Sequence, residues 1–179
     1  MSGKGSEPLA VYRIGDLKQV ATFASNDFYG FWDRSSDVLY IGGGGVAKKW
    51  SPDSGTVDLP GAAYWSYLGG LSPDGNQVAY TAYLDPNNQV DPRVYVYQLR
   101  TSTTRILVDD KPRSQVVFVK DGWVWYLEEM PCASGCPGST QPSGKVFAMN
   151  LSTGVEQEVV FAGGDGTTDL VPGEFWPNA

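Results

Sequence analysis

Apolar residues along this chain occur in short runs that polar turns separate at regular intervals. The stretch "LSPDGNQVAYT" (71–81) has an apolar end, a polar turn, and then a run rich in β-branched and aromatic residues. Proline presets φ at the first central position of such a turn, aspartate and serine side chains bond back to the backbone, and glycine accepts a positive φ. The run after the turn has strand composition, so the stretch predicts the corner of a β-hairpin.

Two kinds of hairpin alternate along the chain. The first kind recurs as "FWDRSSDVLYI" (31–41) and "FVKDGWVWYL" (118–127), and its tyrosines, Tyr40, Tyr80 and Tyr126, lie 40 and then 46 residues apart. The second kind is a strand, a polar turn and another strand, as in "VYRIGDLKQVATF" (11–23), "KKWSPDSGTVDL" (48–59), "VYVYQLRTSTTRIL" (94–107) and "VFAMNLSTGVEQEVV" (146–160). The alternation predicts a four-stranded unit of about 40–50 residues, a period typical of β-propeller blades.

The apolar runs themselves indicate how the strands are buried. "WVWYL" (123–127) is apolar throughout, without a polar alternate face. A strand of this kind is covered on both sides, as in a sheet that packs between two neighbouring sheets. No long segment has a 3.6-residue apolar period, so the sequence predicts an all-β fold.

The stretch "LSPDGNQVAYTAYL…RVYVYQLRTSTTRIL" resembles a blade of the TolB-like, or WD40-like (PD40), propeller repeat. That family is marked by a Ser-Pro-Asp-Gly turn before the second strand, and by a strand-turn-strand with a short basic or threonine-rich tip. The resemblance covers 62–110 best, and "WDRSSD" and "VKDG" in the flanking repeats depart from the motif. It implies a propeller, a fold that serves both as a binding scaffold and as a gating domain on peptidases.

The sequence thus predicts about three full four-stranded antiparallel blades with a partial blade at each end. The expected divisions are a disordered or expression-derived tail (1–8), a partial blade (9–23), three blades (24–61, 62–110 and 111–162), and the first strand of a further blade (163–179). We therefore expect a fragment or half of a larger propeller, whose ring is completed by the missing remainder or by a homodimer.

Composition excludes several classes of function. The net charge is −7 and the 13 basic residues are scattered, so we expect no nucleic-acid partner. No run approaches the roughly 18 apolar residues of a membrane span, so we expect no membrane insertion. The chain has no histidine, which removes Ser-His-Asp and Cys-His catalysis, and its two cysteines are too few for a structural zinc site. We expect no metal, no cofactor and no enzyme activity.

Cys132 and Cys136 lie in the Pro/Gly/Ser-rich insertion "MPCASGCPGSTQPSGK". Five residues that include a glycine can bring the two Cα atoms within disulfide range. The spacing is not that of a redox C-x-x-C motif, so a disulfide and a pair of free surface thiols are the two alternatives. We predict the disulfide, which would place the protein in an extracytoplasmic compartment: periplasmic, secreted or on the cell surface.

Two further groups of residues are candidates for a calcium site and for a catalytic site, and each also has an ordinary structural explanation. The loop "DPNNQVDP" offers four oxygen ligands that calcium could use, although Asx/Pro clusters are mostly turns; the four are Asp85, Asn87, Asn88 and Asp91. Glu128 and Glu129 are adjacent on one strand and point to opposite faces, so catalysis would require a distant partner such as Asp33 or Glu174.

The aromatic residues offer one more candidate surface. Large aromatic side chains, including Trp123 and Trp125, mainly fill the wedges between blades. Trp65 and Trp176 are the exceptions, because they lie near the starts of predicted first strands, which approach the channel of a propeller. We interpret these two as possible channel- or ligand-facing residues.

Two functions remain. The first is a non-enzymatic scaffold that binds a protein or envelope component through loops on one propeller face. The second is the gating or substrate-selecting portion of a larger hydrolase, such as a prolyl-oligopeptidase-type serine peptidase, whose catalytic domain lies outside this chain. A parent reading frame with a "G-x-S-x-G" elbow beyond Ala179 would favour the hydrolase, and more blades alone would favour the scaffold.

Overall fold

The computed structural model describes residues 8–23, 29–33, 36–43, 46–60, 67–85, 90–118, 122–132 and 140–160. These residues form three four-stranded antiparallel sheets and one two-stranded sheet, with no α-helix in the described ranges. The predicted all-β fold is confirmed. Within the described ranges no helix is long and apolar enough to cross a membrane.

Each sheet is a simple meander in which consecutive strands are neighbours. The two-stranded sheet contains β1 (Ala10–Tyr12) and β2 (Gln19–Thr22). The first four-stranded sheet contains β3 (Tyr29–Trp32), β4 (Leu39–Gly42), β5 (Lys48–Ser51) and β6 (Gly55–Asp58). The second contains β7 (Tyr67–Leu71), β8 (Gln77–Asp85), β9 (Val90–Gln98) and β10 (Thr103–Ile106). The third contains β11 (Arg113–Phe118), β12 (Trp123–Pro131), β13 (Thr140–Asn150) and β14 (Glu156–Val159).

The three sheets lie within the predicted blades 24–61, 62–110 and 111–162, and β1 and β2 lie within the predicted partial blade 9–23. The predicted tail, except Pro8, and the predicted strand at 163–179 fall outside the described residues. Those boundaries stay predictions.

The middle sheet is buried on both faces. One face contacts the first sheet through Val78, Tyr80 and Tyr97, which cluster with Tyr40 and Leu59. The opposite face contacts the third sheet in a second cluster, to which the middle sheet contributes Ala79, Val94 and Val96, and the third sheet Val116, Val124 and Tyr126. The unbroken apolar character of the central strands follows from this double burial.

Aromatic cross-strand pairs lie on the facing sides of the first two sheets, one pair within each sheet. The rings of Phe31 and Tyr40 stack with centroids 5.2 Å apart, and those of Tyr80 and Tyr95 stack with centroids 5.1 Å apart. The Tyr97 hydroxyl donates to the backbone carbonyl of Pro60 at 2.7 Å, which ties the second sheet to the connection that leaves the first. Such aromatic pairs add about 0.5–1.5 kcal/mol beyond the area they bury.

The recurrent tyrosines occupy equivalent strands but not equivalent faces. All three are buried on the second strand of their sheet. Tyr80 and Tyr126 each face the preceding sheet, whereas Tyr40 faces the following one. The neighbours of Tyr40, Leu39 and Ile41, pack instead with Phe23 of the two-stranded sheet. The recurrence of the three tyrosines predicts equivalent positions, and for Tyr40 this prediction is wrong, because a one-residue offset reverses every side chain of a strand.

The innermost strands of the second and third sheets approach each other very closely. A Cβ atom built on Gly69 would lie 1.8 Å from the carbonyl oxygen of Val116. Both strands carry a bulge at this level, with positive φ at Gly70 (91°) and at Gln115 (52°). Only a residue without a side chain permits this backbone contact.

We predict that Gly69→Ala destabilises the protein by about 3 kcal/mol, because the new methyl group meets backbone and no side chain can move to relieve the overlap. Urea unfolding monitored by tryptophan fluorescence measures the change. Gly15→Ala is the matched control, since nothing lies within 4 Å of its added Cβ. A Gly69→Ala protein as stable as the control would show that the two sheets do not approach at this point.

Candidate functional site

The connections of the sheets fall at two opposite ends. In an antiparallel meander the first-to-second and third-to-fourth turns share one end. We call this the turn end; in the second and third sheets its described turns are 72–76, 99–102 and 151–154. The opposite end carries the second-to-third connections, including the one that contains the two cysteines. Because the faces of the middle sheet are buried, accessible polar chemistry concentrates at these ends.

Two adjoining cavities of about 430 and 520 Å³ lie at the turn end. Asp74 and Gln77 line both, so the two cavities adjoin at these residues. The smaller one lies between the second and third sheets and is otherwise lined by Ser72, Pro73, Phe118, Gly122, Leu151 and Ser152. The larger one is completed by Asn76, Gln98, Arg100 and Thr101. We call the whole feature the turn-end groove.

The first wall of the groove is a rigid turn. The Ser72 hydroxyl donates to Asp74 Oδ1 at 2.6 Å and accepts the backbone N–H of Gln77 at 2.9 Å. Gly75 takes a φ of 72°, and its N–H donates to the Ser72 carbonyl at 2.9 Å. The predicted turn chemistry is therefore confirmed, and it holds the wall in one conformation.

The charge of the turn is stabilised locally. The hydrogen bond from Ser72 lowers the pKa of the Asp74 carboxyl, and further hydrogen bonds from Asn76 lower it more. Asp74 consequently carries its negative charge well into the acidic range. Its oxygens are already occupied as acceptors, so Asp74 shapes the groove and leaves recognition to its neighbours.

Three side chains of the groove have hydrogen-bonding capacity to spare. Gln77 and Gln98 lie opposite each other on β8 and β9, and Arg100 follows two residues later. None of these side chains forms a hydrogen bond or ion pair with another residue in the described part of the chain. Together they present amide and guanidinium donors, which suit carboxylate and carbonyl oxygens of a ligand.

A charged cluster lies on the third sheet, with buried Arg113 at its centre and two partly exposed glutamates around it. Arg113 is 1% exposed, and its guanidinium carbon lies 4.7 Å from the ring centroid of Phe147. It forms ion pairs of 3.6 Å with Glu128 and 3.5 Å with Glu156. Tyr126 donates to Glu156 at 2.7 Å, and burial, followed by this hydrogen bond, raises the tyrosine pKa strongly.

The two adjacent glutamates are held by different partners. Glu128 accepts a hydrogen bond from Ser143 at 3.0 Å and pairs with Arg113, whereas Glu129 accepts one from Ser114. Of the distant partners considered for catalysis, Asp33 accepts from Ser36 at 2.8 Å, and Glu174 lies outside the described residues. The hydrogen bonds of Glu128 and Glu129 serve the third sheet itself.

Several predicted site residues fall outside the described part of the chain. They are Trp65, Trp176 and Cys136, and with them Asn87 and Asn88 of the calcium candidate. Cys132 directly follows β12, at the start of the connection to β13. Pro131 and Thr140 pair at the base of this connection. The disulfide and the channel-facing aromatics stay predictions.

The calcium candidate can be assessed only at Asp91, whose carboxylate pairs with the buried guanidinium of Arg93. Its two oxygens therefore already have a cationic partner. Within the described residues no group of three or more histidine, cysteine, aspartate or glutamate side chains could hold a metal ion.

Sequence reasoning missed the groove residues. Gln77, Gln98 and Arg100 have the polar side chains of ordinary turn-flanking positions, and nothing in their local spacing distinguishes them. The available signal was topological, because the predicted meander already placed residues 72–77 and 98–102 at one end of the same sheet.

We predict that Ser72→Ala destabilises the protein by about 1–2 kcal/mol, because the Gln77 N–H loses its hydroxyl acceptor and Asp74 loses a donor. Chemical unfolding measures this difference. Since Ser72 helps to lower the pKa of folded Asp74, the part of its stabilisation that acts through Asp74 is present above the ordinary value of 3.8 and is lost as pH falls through the lowered pKa. The difference in unfolding free energy between the wild type and Ser72→Ala therefore becomes smaller in acid. Ser54→Ala, at an exposed turn, is the control and should change stability by less than about 0.5 kcal/mol.

Comparison with known proteins shows the fold and leaves the family open. No protein-family model and no curated protein matches the sequence. Among solved structures, TolB from Acinetobacter baumannii matches with a TM-score of 0.55 and 12% identity over 83% of this chain. The tricorn protease matches with a TM-score of 0.56 and 14% identity, also over 83% of this chain.

The chain spans only part of each of these proteins, 36% of the TolB chain and 16% of the tricorn chain. At such identities the likeness concerns the fold alone. The three four-stranded sheets therefore correspond to blades of a β-propeller, as the sequence predicted.

Proposed function

We propose that this protein is a non-enzymatic β-propeller scaffold of the TolB-like type, which binds a protein or an envelope component through the turn-end groove. The observation that carries the proposal is the set of uncommitted donors in that groove. Gln77, Gln98 and Arg100 line a cavity of about 520 Å³, and their side chains form no hydrogen bond or ion pair with other residues in the described ranges. Arginine is enriched at protein interfaces, where its fork-shaped donor set pairs with carboxylates.

The shape of the groove favours a partner longer than a small metabolite. It continues from the turns of the second sheet to those of the third, where its lining becomes more apolar with Pro73, Phe118 and Leu151. An extended peptide segment of a partner can place an acidic or carbonyl oxygen at Arg100 and an apolar side chain beside Pro73. A polar rim next to a partly apolar centre is the usual anatomy of such interfaces.

The non-enzymatic part of the proposal is supported by the composition and by the carboxylates. The sequence has no histidine. Glu128 and Glu129 accept hydrogen bonds from Ser143 and Ser114, and Glu128 also pairs with Arg113. Carboxylates held in this way stabilise the third sheet, and we assign them no chemical step. We likewise propose no metal, no cofactor and no nucleic-acid partner.

The second candidate is a gating or substrate-selecting portion of a larger hydrolase. The similarity to part of the tricorn protease supports it at the level of fold. In that case the catalytic residues lie on another domain, and the groove receives either that domain or the substrate. A hydrolase domain in the parent reading frame would favour this second function over the scaffold.

We predict that Arg100→Glu weakens partner binding, since it replaces the cationic donor of the groove by a carboxylate that repels acidic groups of a ligand. The immobilised chain is used to isolate ligands from envelope and extracellular extracts of the source cells. A specific partner is retained by the wild type and by the control Lys49→Glu, an exposed charge reversal outside the groove. Its retention falls at least about tenfold with Arg100→Glu. Equal retention by all three proteins, or turnover of peptide or glycoside substrates by the purified chain, would contradict the proposal.

The same proposal includes an extracytoplasmic location. Whether Cys132 and Cys136 form a disulfide tests this part of the proposal. We predict that the two are joined in protein purified in air, so that its intact mass is about two daltons below that of the reduced protein. Alkylation under native conditions provides the independent measurement and should modify neither cysteine. Two thiols that alkylate freely in the native protein would remove the main argument for an oxidising compartment.

A further inference from the structure

The β1–β2 hairpin exposes an unusual number of large apolar side chains. Ile14 is 92% exposed, Leu17 75%, Tyr12 55% and Val20 44%. All four lie within nine consecutive residues on the strands and turn of one hairpin. We call them the hairpin patch. Concentrated exposure of this kind marks interaction sites, whereas single exposed apolar residues are ordinary.

The hairpin already uses its other face as a sheet-packing surface. Val11 and Ala21, which pair across β1 and β2, pack with Leu39, Ile41 and Trp50 of the first sheet. Because strand side chains alternate, Tyr12 and Val20 lie on the face turned away from that sheet. The two faces of the hairpin are thus both apolar, as are the two faces of the middle sheet.

The turn that carries Ile14 and Leu17 is rigid. Arg13 and Asp16 form a two-pronged ion pair, with Arg13 Nε donating to Asp16 Oδ1 at 2.8 Å. The Arg13 N–H donates to the Lys18 carbonyl at 2.9 Å, and the Lys18 N–H donates to Asp16 Oδ1 at 3.2 Å. These local hydrogen bonds define the backbone of the turn from which the apolar side chains of Ile14 and Leu17 project.

Leu17 is held in a backbone conformation that disfavours it. Its φ is 54°, in the left-handed region that glycine and asparagine occupy far more readily than a bulky side chain. A highly exposed leucine contributes nothing to the core in compensation. Contacts within the described residues therefore do not explain a leucine at this position.

We propose that the hairpin patch is a self-association surface, on which a sheet of a second copy of this chain packs as the first sheet packs on the opposite face of the hairpin. The opposite face of the same hairpin already packs on a sheet through Val11 and Ala21, so a second sheet is the natural occupant of the patch. Charge agrees with this occupant. Residues 9–23 contain the charged residues Arg13, Lys18 and Asp16, so their net charge is +1. Because the whole chain carries −7, the remaining residues carry −8. A second copy therefore presents an acidic body to a weakly basic hairpin.

This self-association is separate from the proposed partner binding. The turn-end groove belongs to the second and third sheets, and the hairpin patch belongs to the two-stranded sheet on the far side of the first. Either site can be removed without altering the residues of the other. The two proposals can therefore fail independently.

Sedimentation equilibrium of the full chain over about 1–100 µM, a range in which weak interfaces dissociate, tests the proposal. We expect a concentration-dependent dimer. Leu17→Asn should weaken it at least tenfold without lowering the urea midpoint, because asparagine suits the left-handed backbone and removes the apolar contact. Ile14→Ser should weaken it similarly. Leu84→Ser, at a 54% exposed leucine on β8, and Arg100→Glu should leave dimerisation unchanged.

A protein that remains monomeric throughout this range overturns the proposal and assigns the patch to another polypeptide or to a further segment of the natural chain. A dimer whose dissociation constant does not respond to Leu17→Asn or Ile14→Ser overturns it equally, because the contact must then lie elsewhere. The unfolding midpoint of Leu17→Asn distinguishes a loss of association from a loss of folding.

Discussion

Burial of the middle sheet on both faces is the constraint on which the rest of the structure depends. Along β8, Val78 and Tyr80 contact the first sheet, and Ala79 contacts the third. The buried positions of the central strands are therefore mostly apolar, and each must fit one of two neighbouring sheets; Thr81 and Arg93 are buried polar exceptions. Accessible groups therefore lie mainly at the ends of the strands, where the turn-end groove is, and on the two-stranded sheet, which carries the hairpin patch.

The sequence allowed the strands and turns to be predicted, because local chemistry determines them. The Ser-Pro-Asp-Gly turn forms through hydrogen bonds within a few residues and through the positive φ of Gly75. The orientation of each sheet is a different matter. When both faces of a strand are apolar, a period of two no longer distinguishes them, so nothing local indicated that Tyr40 faces forward while Tyr80 faces back.

The local sequence pattern did not indicate the groove, because its residues come together only through the pairing of strands. Gln77 and Gln98 are 21 residues apart in the sequence and become neighbours through the pairing of β8 with β9. Each residue alone is an ordinary polar residue near a turn. The aromatic candidates Trp65 and Trp176 were instead predicted from the position of the central channel, which depends on the whole propeller ring. Both lie outside the residues that the structure describes.

The buried charges supply the register information that the apolar pattern lacks. Arg113 reaches Glu156, 43 residues away in the sequence, across the rings of Phe147 and Tyr126. A buried ion pair contributes little net stability, because desolvation offsets the attraction. Its Nε atom in fact has no partner among the described residues. Moving β11 by one residue would nevertheless direct the guanidinium to the other face of the third sheet and leave an unpaired charge in apolar surroundings, at a cost of about 3–5 kcal/mol. A slip that the apolar residues would tolerate is thus excluded by Arg113, so the cluster specifies which face of the third sheet meets the second.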